Sequence, residues 1–305
     1  MSNFIQNWLI TPFVINKESK AKYVKYIFRF LIHWKSNQAW VGYLNSTPQL
    51  KQWCSGYEAD FYLKFHNAYL SNTFNDQQKL TSLINHYEWL FTHINTETYE
   101  NKPLPLMQYT IESETSQLLS LNLFYKGKHH REGESCILLE LDGKIQYALS
   151  FTYMLINGQP SFFIGGLQAG KQDQINLESI KKLTKSLYGL RPKQLLLNAL
   201  STLCEFYHIP EIIGVSNENH FYQNSRKKRD HNRVKTNLDE FWLEFGASKE
   251  KSGNFNFKPL SNQIDLSEIA SKKRSQYKKR QVILDILKQQ SNQQLLLANK
   301  EVKYE

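Results

Sequence analysis

Three groups of residues in this 305-residue chain have the types and spacing that chemistry needs. The first is Asn217-Glu218-Asn219-His220, an amide, a carboxylate, an amide and an imidazole directly after the apolar run Glu211-Ile-Ile-Gly-Val-Ser216. Polar groups at the carboxyl end of a strand lie where open α/β sheets bind ligands. The second is Ile164-Gly-Gly-Leu-Gln-Ala-Gly170, whose three glycines leave backbone uncovered so that a ligand can come close. The third is Tyr188-Gly189-Leu190-Arg191-Pro192-Lys193. Pro192 suits the first position of a helix, and the free N–H groups there, with the Arg191 and Lys193 side chains, make a candidate phosphate or carboxylate site.

The elements that must position these groups follow from periodicity. Strict alternation from Ile145 to Leu155 predicts a strand, flanked by Asp142-Gly143 and Asn157-Gly158, pairs that tolerate the positive φ of tight hairpin turns. The expected strands are 119–125, 136–141, 144–156, 160–167 and 211–216, the first four as an antiparallel meander. Leu196, Ala199, Leu200, Leu203 and Tyr207 repeat at helical spacing, so a helix runs from Pro192 to before Pro210, with an amphipathic segment at 177–187 ahead of it. Upstream, Ala21 to Trp34, Tyr57 to Leu70 and Gln77 to Phe91 show helical spacing. Trp34, Trp40, Trp53, Tyr62, Trp89 and Phe91 in that region suit a core, or a groove for an acyl chain or peptide. The expected fold class is α+β: a helical lobe (1–115), a mostly antiparallel sheet with flanking helices (116–260) and a basic helical tail (261–305).

Charge is concentrated in two places. Residues 221–236 carry six cations against Asp230, a net of +5, and residues 271–305 carry nine against three acids, a net of +6, so the rest of the chain is close to neutral within the overall +10. Arg226, Lys227, Arg229, Lys272, Lys273, Arg274, Lys278 and Arg280 are the candidate anion-binding residues, suited to anionic lipid and, less so, to nucleic acid. The nucleotide fingerprints GxGxxG and GxxxxGK[ST] are absent. Cys54, Cys136 and Cys204 sit in apolar surroundings and read as reduced core thiols. His129-His130 beside Glu132 and Glu134 lacks a fixed third ligand, so no metal site is expected, and His86-Tyr87 reads as packing at the core edge. The first residues lack a basic region followed by an apolar run, and no stretch is apolar enough to span a bilayer; the expectation is a cytoplasmic protein that can rest on a membrane.

Several of these motifs in order, 164–170, Thr184-Lys-Ser-Leu-Tyr-Gly-Leu-Arg-Pro-Lys193, Gly214-Val-Ser-Asn217, Phe241-Trp242 with Gly246, and Ser271-Lys-Lys-Arg-Ser-Gln-Tyr-Lys-Lys-Arg280, resemble the VirK/YbjX family of Gram-negative bacteria. Ala169 and Leu238-Asp239 depart from its pattern. The resemblance implies a cytoplasmic protein linked to virulence, envelope integrity and tolerance of cationic antimicrobial peptides. The strand order is also similar in topology to the Gcn5-related acyltransferase (GNAT) fold, apart from about twenty residues between Gln168 and Pro192 where that fold has a short loop. That similarity implies acyl-CoA as cofactor, with Gly166, Gln168 and Gly170, or Gly189, Arg191 and Lys193, on its phosphates. Asn217, Glu218 or His220 would then orient the acceptor or take its proton. Two readings stay open: an acyl transferase modifying an anionic envelope precursor at the inner face of the inner membrane, and a non-catalytic protein that binds anionic lipid or nucleic acid.

Overall fold

Two tight turns organise the sheet. Asp142 and Gly143 have φ of +50° and +73°, and Asn157 and Gly158 have +52° and +80°. These values suit the hairpin turns that join β3 (Ser135–Leu141), β4 (Lys144–Ile156) and β5 (Gln159–Ala169) into consecutive antiparallel pairs. The computed structural model describes residues 20–55, 61, 64, 68–112, 116–126, 131–170, 176–224, 237–261, 263, 267 and 269–300. Arg226, Lys227, Arg229, His129, His130, Tyr62 and most of the Tyr57–Leu70 segment lie outside the described residues.

The meander gains β1 (Leu104–Ile111) and β2 (Gln117–Phe124) on one side. On the other it gains β6 (Glu211–Gly214), β7 (Ser248–Lys249) and β8 (Phe255–Phe257). The sheet runs β1-β2-β3-β4-β5-β6-β8-β7, and β5 with β6 is its parallel pair; every other pairing is antiparallel. A parallel neighbour requires a crossover, which here is α6 (Leu177–Ser186) followed by α7 (Pro192–Phe206). The fold is therefore α+β with a mostly antiparallel sheet, as expected.

The amino-terminal helices are α1 (Lys20–Ile32), α2 (Trp34–Ser46), α3 (Pro48–Trp53), α4 (Asp76–His93) and the single turn α5 (Thr96–Tyr99). A capping box starts α4, with the Asn75 side chain accepting from the Gln78 N–H and the Gln78 side chain accepting from the Asn75 N–H. Leu70, expected at a helix end, instead has φ +58° and stands between two bridged residues, Tyr69 and Ser71. Trp40, Trp53 and Trp89 are buried and join one hydrophobic cluster running from Trp40 to Ala298, so these rings belong to the core. Cys54, Cys136 and Cys204 are free thiols in buried positions.

Between Gln146 and Thr152, β4 is buried on both faces, with α4 and α7 packed against it. That differs from the half-buried strand its alternation predicts. The polar positions Gln146, Ser150 and Thr152 are covered by other parts of the chain.

The carboxyl-terminal helix α9 (Ser271–Ala298) has two parts. Its second half buries Ile283, Leu284, Leu287 and Leu295 against the sheet and α7, while Ser271 to Gln276 stay exposed. Gln290 accepts a hydrogen bond from the Gln108 N–H (2.7 Å) and donates to the Gln108 carbonyl (3.3 Å). Ser291 donates to the Leu106 carbonyl (3.0 Å). Side chains of α9 thus occupy backbone groups on the outer edge of β1, which would otherwise be open to pairing with another strand.

Candidate functional site at the fork of the sheet

The carboxyl end of β5 is where the sheet opens. Ser150 pairs with Gly166 and Phe151 with Ile164, which leaves Gly165 as a one-residue bulge. The ladder between β5 and β6 stops at the same place: Ile164 faces Gly214, and the last bond runs from the Val215 N–H to the Ile164 carbonyl (3.0 Å). Beyond it β5 and the chain after β6 part as a fork.

Glu132 fills that fork. It enters from the segment before β3, and a Cβ on Gly165 would meet its carbonyl, while a Cβ on Gly166 would meet its carboxylate. The sequence reading treats these glycines as backbone left open for a ligand; in the structure their bareness admits Glu132, with Leu70 alongside. Gln168 donates its amide to Glu132 Oε1, and His220 Nε2 lies 3.5 Å from the same oxygen. Glu132 and His220 are each 1 % exposed, and Glu132 Oε2 has no hydrogen-bond partner among the described residues. The Tyr222 N–H approaches His220 Nδ1 at 3.4 Å, so Nδ1 carries the lone pair and Nε2 the proton that faces the carboxylate.

The turn that presents His220 is held on all sides. The Asn219 N–H donates to Ser216 Oγ (3.1 Å), and its side-chain amide donates to the Ser252 carbonyl (2.9 Å) and to Asn254 Oδ1 (3.1 Å). Asn72 donates its N–H to the Asn219 carbonyl (2.8 Å), and Ser71 bridges to His220. Asn217 serves α8 (Leu238–Glu244): its Oδ1 accepts from the Leu238 N–H (3.0 Å) and its own N–H donates to Asp239 (2.7 Å). Glu218 is exposed, and its carbonyl accepts from the Asn72 amide (2.9 Å). Of Asn217, Glu218 and His220, the structure brings His220 alone to Glu132 and Gln168. Glu132 is the member of the cluster that sequence reasoning missed. The signal was there in Glu132-Gly-Glu134, two acids at strand period leading into the apolar run of β3.

The amino end of α7 is arranged differently. Arg191 is its N-cap residue and makes a two-pronged pair with Glu244 of α8 (2.6 and 3.3 Å). Lys193 Nζ stands over the Tyr147 ring at 5.7 Å, and burial, with Arg191 nearby, lowers its pKa. Gly189, at φ +81°, is tied to α9, because Gln276 (3.0 Å) and Arg280 (3.1 Å) both donate to the neighbouring Tyr188 carbonyl. Arg280 also lies 4.4 Å from the Tyr277 ring centroid, so it is part of the fold, whereas Lys272, Lys273, Arg274 and Lys278 are exposed. Gly170 donates its N–H to the Gln146 carbonyl (2.9 Å). Helix α8 links the two regions: Glu244 holds Arg191, and the Trp242 indole N–H donates to the Val215 carbonyl (2.9 Å) over Gly214. The Arg191 and Glu244 side chains are about half exposed. Arg191→Ala is therefore expected to cost no more than about 1 kcal/mol in urea unfolding; a loss well above that would mean the pair supports the position of α8.

An α+β protein with a forked sheet and a buried carboxylate–imidazole pair in the fork is the class that these features define. The model of the family described as protein of unknown function DUF535 matches residues 16–293, and the chain belongs to that family, the VirK/YbjX family. It is 28 % identical over 270 residues to the uncharacterized protein YbjX of Escherichia coli K12, covering 87 % of this chain and 81 % of that one. Two uncharacterized proteins of Haemophilus influenzae are 26 % identical (90 % of this chain, 89 % of theirs) and 24 % identical (91 % and 90 %). No solved structure matches. Among the described residues, no helix is long and apolar enough to cross a membrane.

Proposed function

We propose that the protein is an acyl transferase that modifies an anionic lipid or lipid precursor of the cell envelope from the cytoplasmic face of the inner membrane. The observation that carries this reading is the buried Glu132–His220 pair at the fork, with an acceptor oxygen of Glu132 left over. A carboxylate facing one imidazole nitrogen favours the proton there and leaves the other as the proton acceptor, which is the requirement for a general base; here Nδ1 must first give up the Tyr222 N–H, which it does when the turn carrying Tyr222 moves. His220 Nδ1 takes the proton of an acceptor amine or hydroxyl as that group attacks the thioester carbonyl of an acyl-CoA. The carbon–sulfur bond then breaks, and the thiolate leaves to be protonated by solvent. Because Glu132 packs on Gly166 and takes the Gln168 amide, these two residues are not assigned to the acyl-CoA phosphates, the role that the acyltransferase likeness implies for them. The phosphates are placed at the amino end of α7 near Lys193, and the acceptor reaches His220 when the 3₁₀ turn Phe221–Asn224 moves aside. Membership of the VirK/YbjX family supports an envelope role in virulence and tolerance of antimicrobial peptides.

A second reading, non-catalytic binding of anionic lipid or nucleic acid, rests on α9. Six cations and no acid occupy Ser271–Arg280, at the helix end where the dipole already disfavours positive charge, and no side chain caps it.

One experiment separates the two. Acyl-CoA species and anionic envelope lipids are screened by thermal shift, where a ligand at 100 times its dissociation constant adds about 2.7 kcal/mol of stability. Product formation is then followed by mass spectrometry. Transfer that falls about 100-fold in His220→Ala, with folding intact, is the expected result. No shift with any acyl-CoA and no product sinks the enzyme reading; lipid or nucleic-acid binding lost on Lys272→Glu/Lys273→Glu then favours the other.

A further inference from the structure

Helix α1 presents apolar residues to solvent where a globular protein would bury them. Val24 and Phe28 are each 67 % exposed, Leu31 56 % and Ile32 61 %. Their spacing of four, three and one places all four on a single face of the helix. The opposite side holds α1 to the protein: Phe30 is buried, packs edge-on against Trp34 (5.5 Å between centroids), and its carbonyl accepts from the Asn37 amide (3.5 Å). The sequence of the helix holds four cations, Lys20, Lys22, Lys25 and Arg29, and no acid. A helix with an exposed apolar face and a net charge of +4 in its sequence has the chemistry of an element lying in the plane of an anionic bilayer, with its apolar groups in the acyl boundary.

We infer that α1 docks the protein on the surface of an anionic phospholipid bilayer through Val24, Phe28, Leu31 and Ile32. Charge complementarity selects this occupant over a second copy of the chain, since two α1 helices meeting would bring together two segments that each carry four cations and no acid. The inference rests on the proposed envelope-lipid acceptor only in saying where that acceptor is met; binding itself needs no catalysis.

The test is co-sedimentation of the full chain with vesicles of phosphatidylcholine alone and of phosphatidylcholine mixed with phosphatidylglycerol. The expected result is binding to the mixed vesicles that weakens at high salt and falls at least about tenfold in Phe28→Ser/Leu31→Ser. Both substituted positions are exposed, so the variant folds, and unchanged thermal unfolding verifies it. Failure of the unaltered chain to sediment, equal sedimentation of the variant, or elution of the unaltered chain as a dimer that the variant abolishes would each overturn the inference. Transfer to an acceptor held in detergent micelles keeps the two proposals apart: His220→Ala is expected to lose transfer and keep vesicle binding, and Phe28→Ser/Leu31→Ser the reverse.

Discussion

Replacing Lys64 by methionine is expected to destabilise the protein by about 3–5 kcal/mol, the usual cost of removing one partner of a buried ion pair. Glu134 is 5 % exposed, and its two oxygens are taken by Lys64 Nζ and the Tyr87 hydroxyl. Lys64 itself lies over the rings of Phe61 (5.8 Å) and Tyr69 (5.0 Å). Burial by itself would raise the Glu134 pKa, but Lys64, His86 and the two hydrogen bonds outweigh it and hold the carboxyl below its ordinary value. Without the ammonium, the carboxylate stays charged in an apolar place or takes up a proton, and either state is worse than the pair. Urea unfolding at neutral pH measures the loss. The double variant Lys64→Met/Glu134→Gln is expected to recover at least half of it, because the uncompensated charge is gone. A loss below about 1 kcal/mol in the single variant would show that water reaches the carboxylate.

Glu132 and Glu134 enter the interior two residues apart in the turn before β3, and this explains what could be read in advance and what could not. The hairpins at Asp142-Gly143 and Asn157-Gly158 were legible because a two-residue turn depends on those residues alone, and their positive φ values follow. The helix at Pro192 was legible for the same local reason. Strand β1 was not, because Pro105 argues against a strand, and its place is fixed by a bulge between Pro105 and Met107 and by Gln290 and Ser291 far along the chain. Helix α9 starts at Ser271, and its first ten residues carry no buried stripe, so apolar periodicity does not mark its beginning. At the site, His220 stood out as a polar group after a strand, whereas its partner Glu132 comes from a turn before β3, far away in the sequence. Glycines 165 and 166 marked a close approach correctly in kind, but a glycine does not say whether a ligand or the chain's own carboxylate will use the space. Polar residues among apolar ones are ambiguous until their partners are known.

Acidification tests the same interior from another side, through His86. This imidazole is buried within α4, accepts the Tyr153 N–H at Nδ1 (3.0 Å) and has Ser135 Oγ 3.5 Å from Nε2. Burial lowers its pKa to about 4, with Glu134 pulling upward and Lys64 adding to the fall. In the unfolded chain an ordinary histidine titrates near ~6.5. Between those two values the unfolded state binds a proton that the native state refuses, so stability declines as pH drops through this window and is fully present only above it. The shift corresponds to roughly 3 kcal/mol lost by pH 4, and protonation of Glu134, whose carboxyl is also held low, adds to the loss in more acid solution. The native state cannot relieve this by accepting the proton at Nδ1 without giving up the bond from Tyr153, which would leave a buried N–H unpaired. Unfolding free energies from urea titrations at several pH values between 7 and 4, for the unaltered chain and for His86→Gln, isolate the contribution from the other histidines. The expected difference between the two narrows steadily toward pH 4, because only the unaltered chain carries the penalty; a difference that stays flat across the window would show that His86 gains its proton in the folded protein at an ordinary pKa.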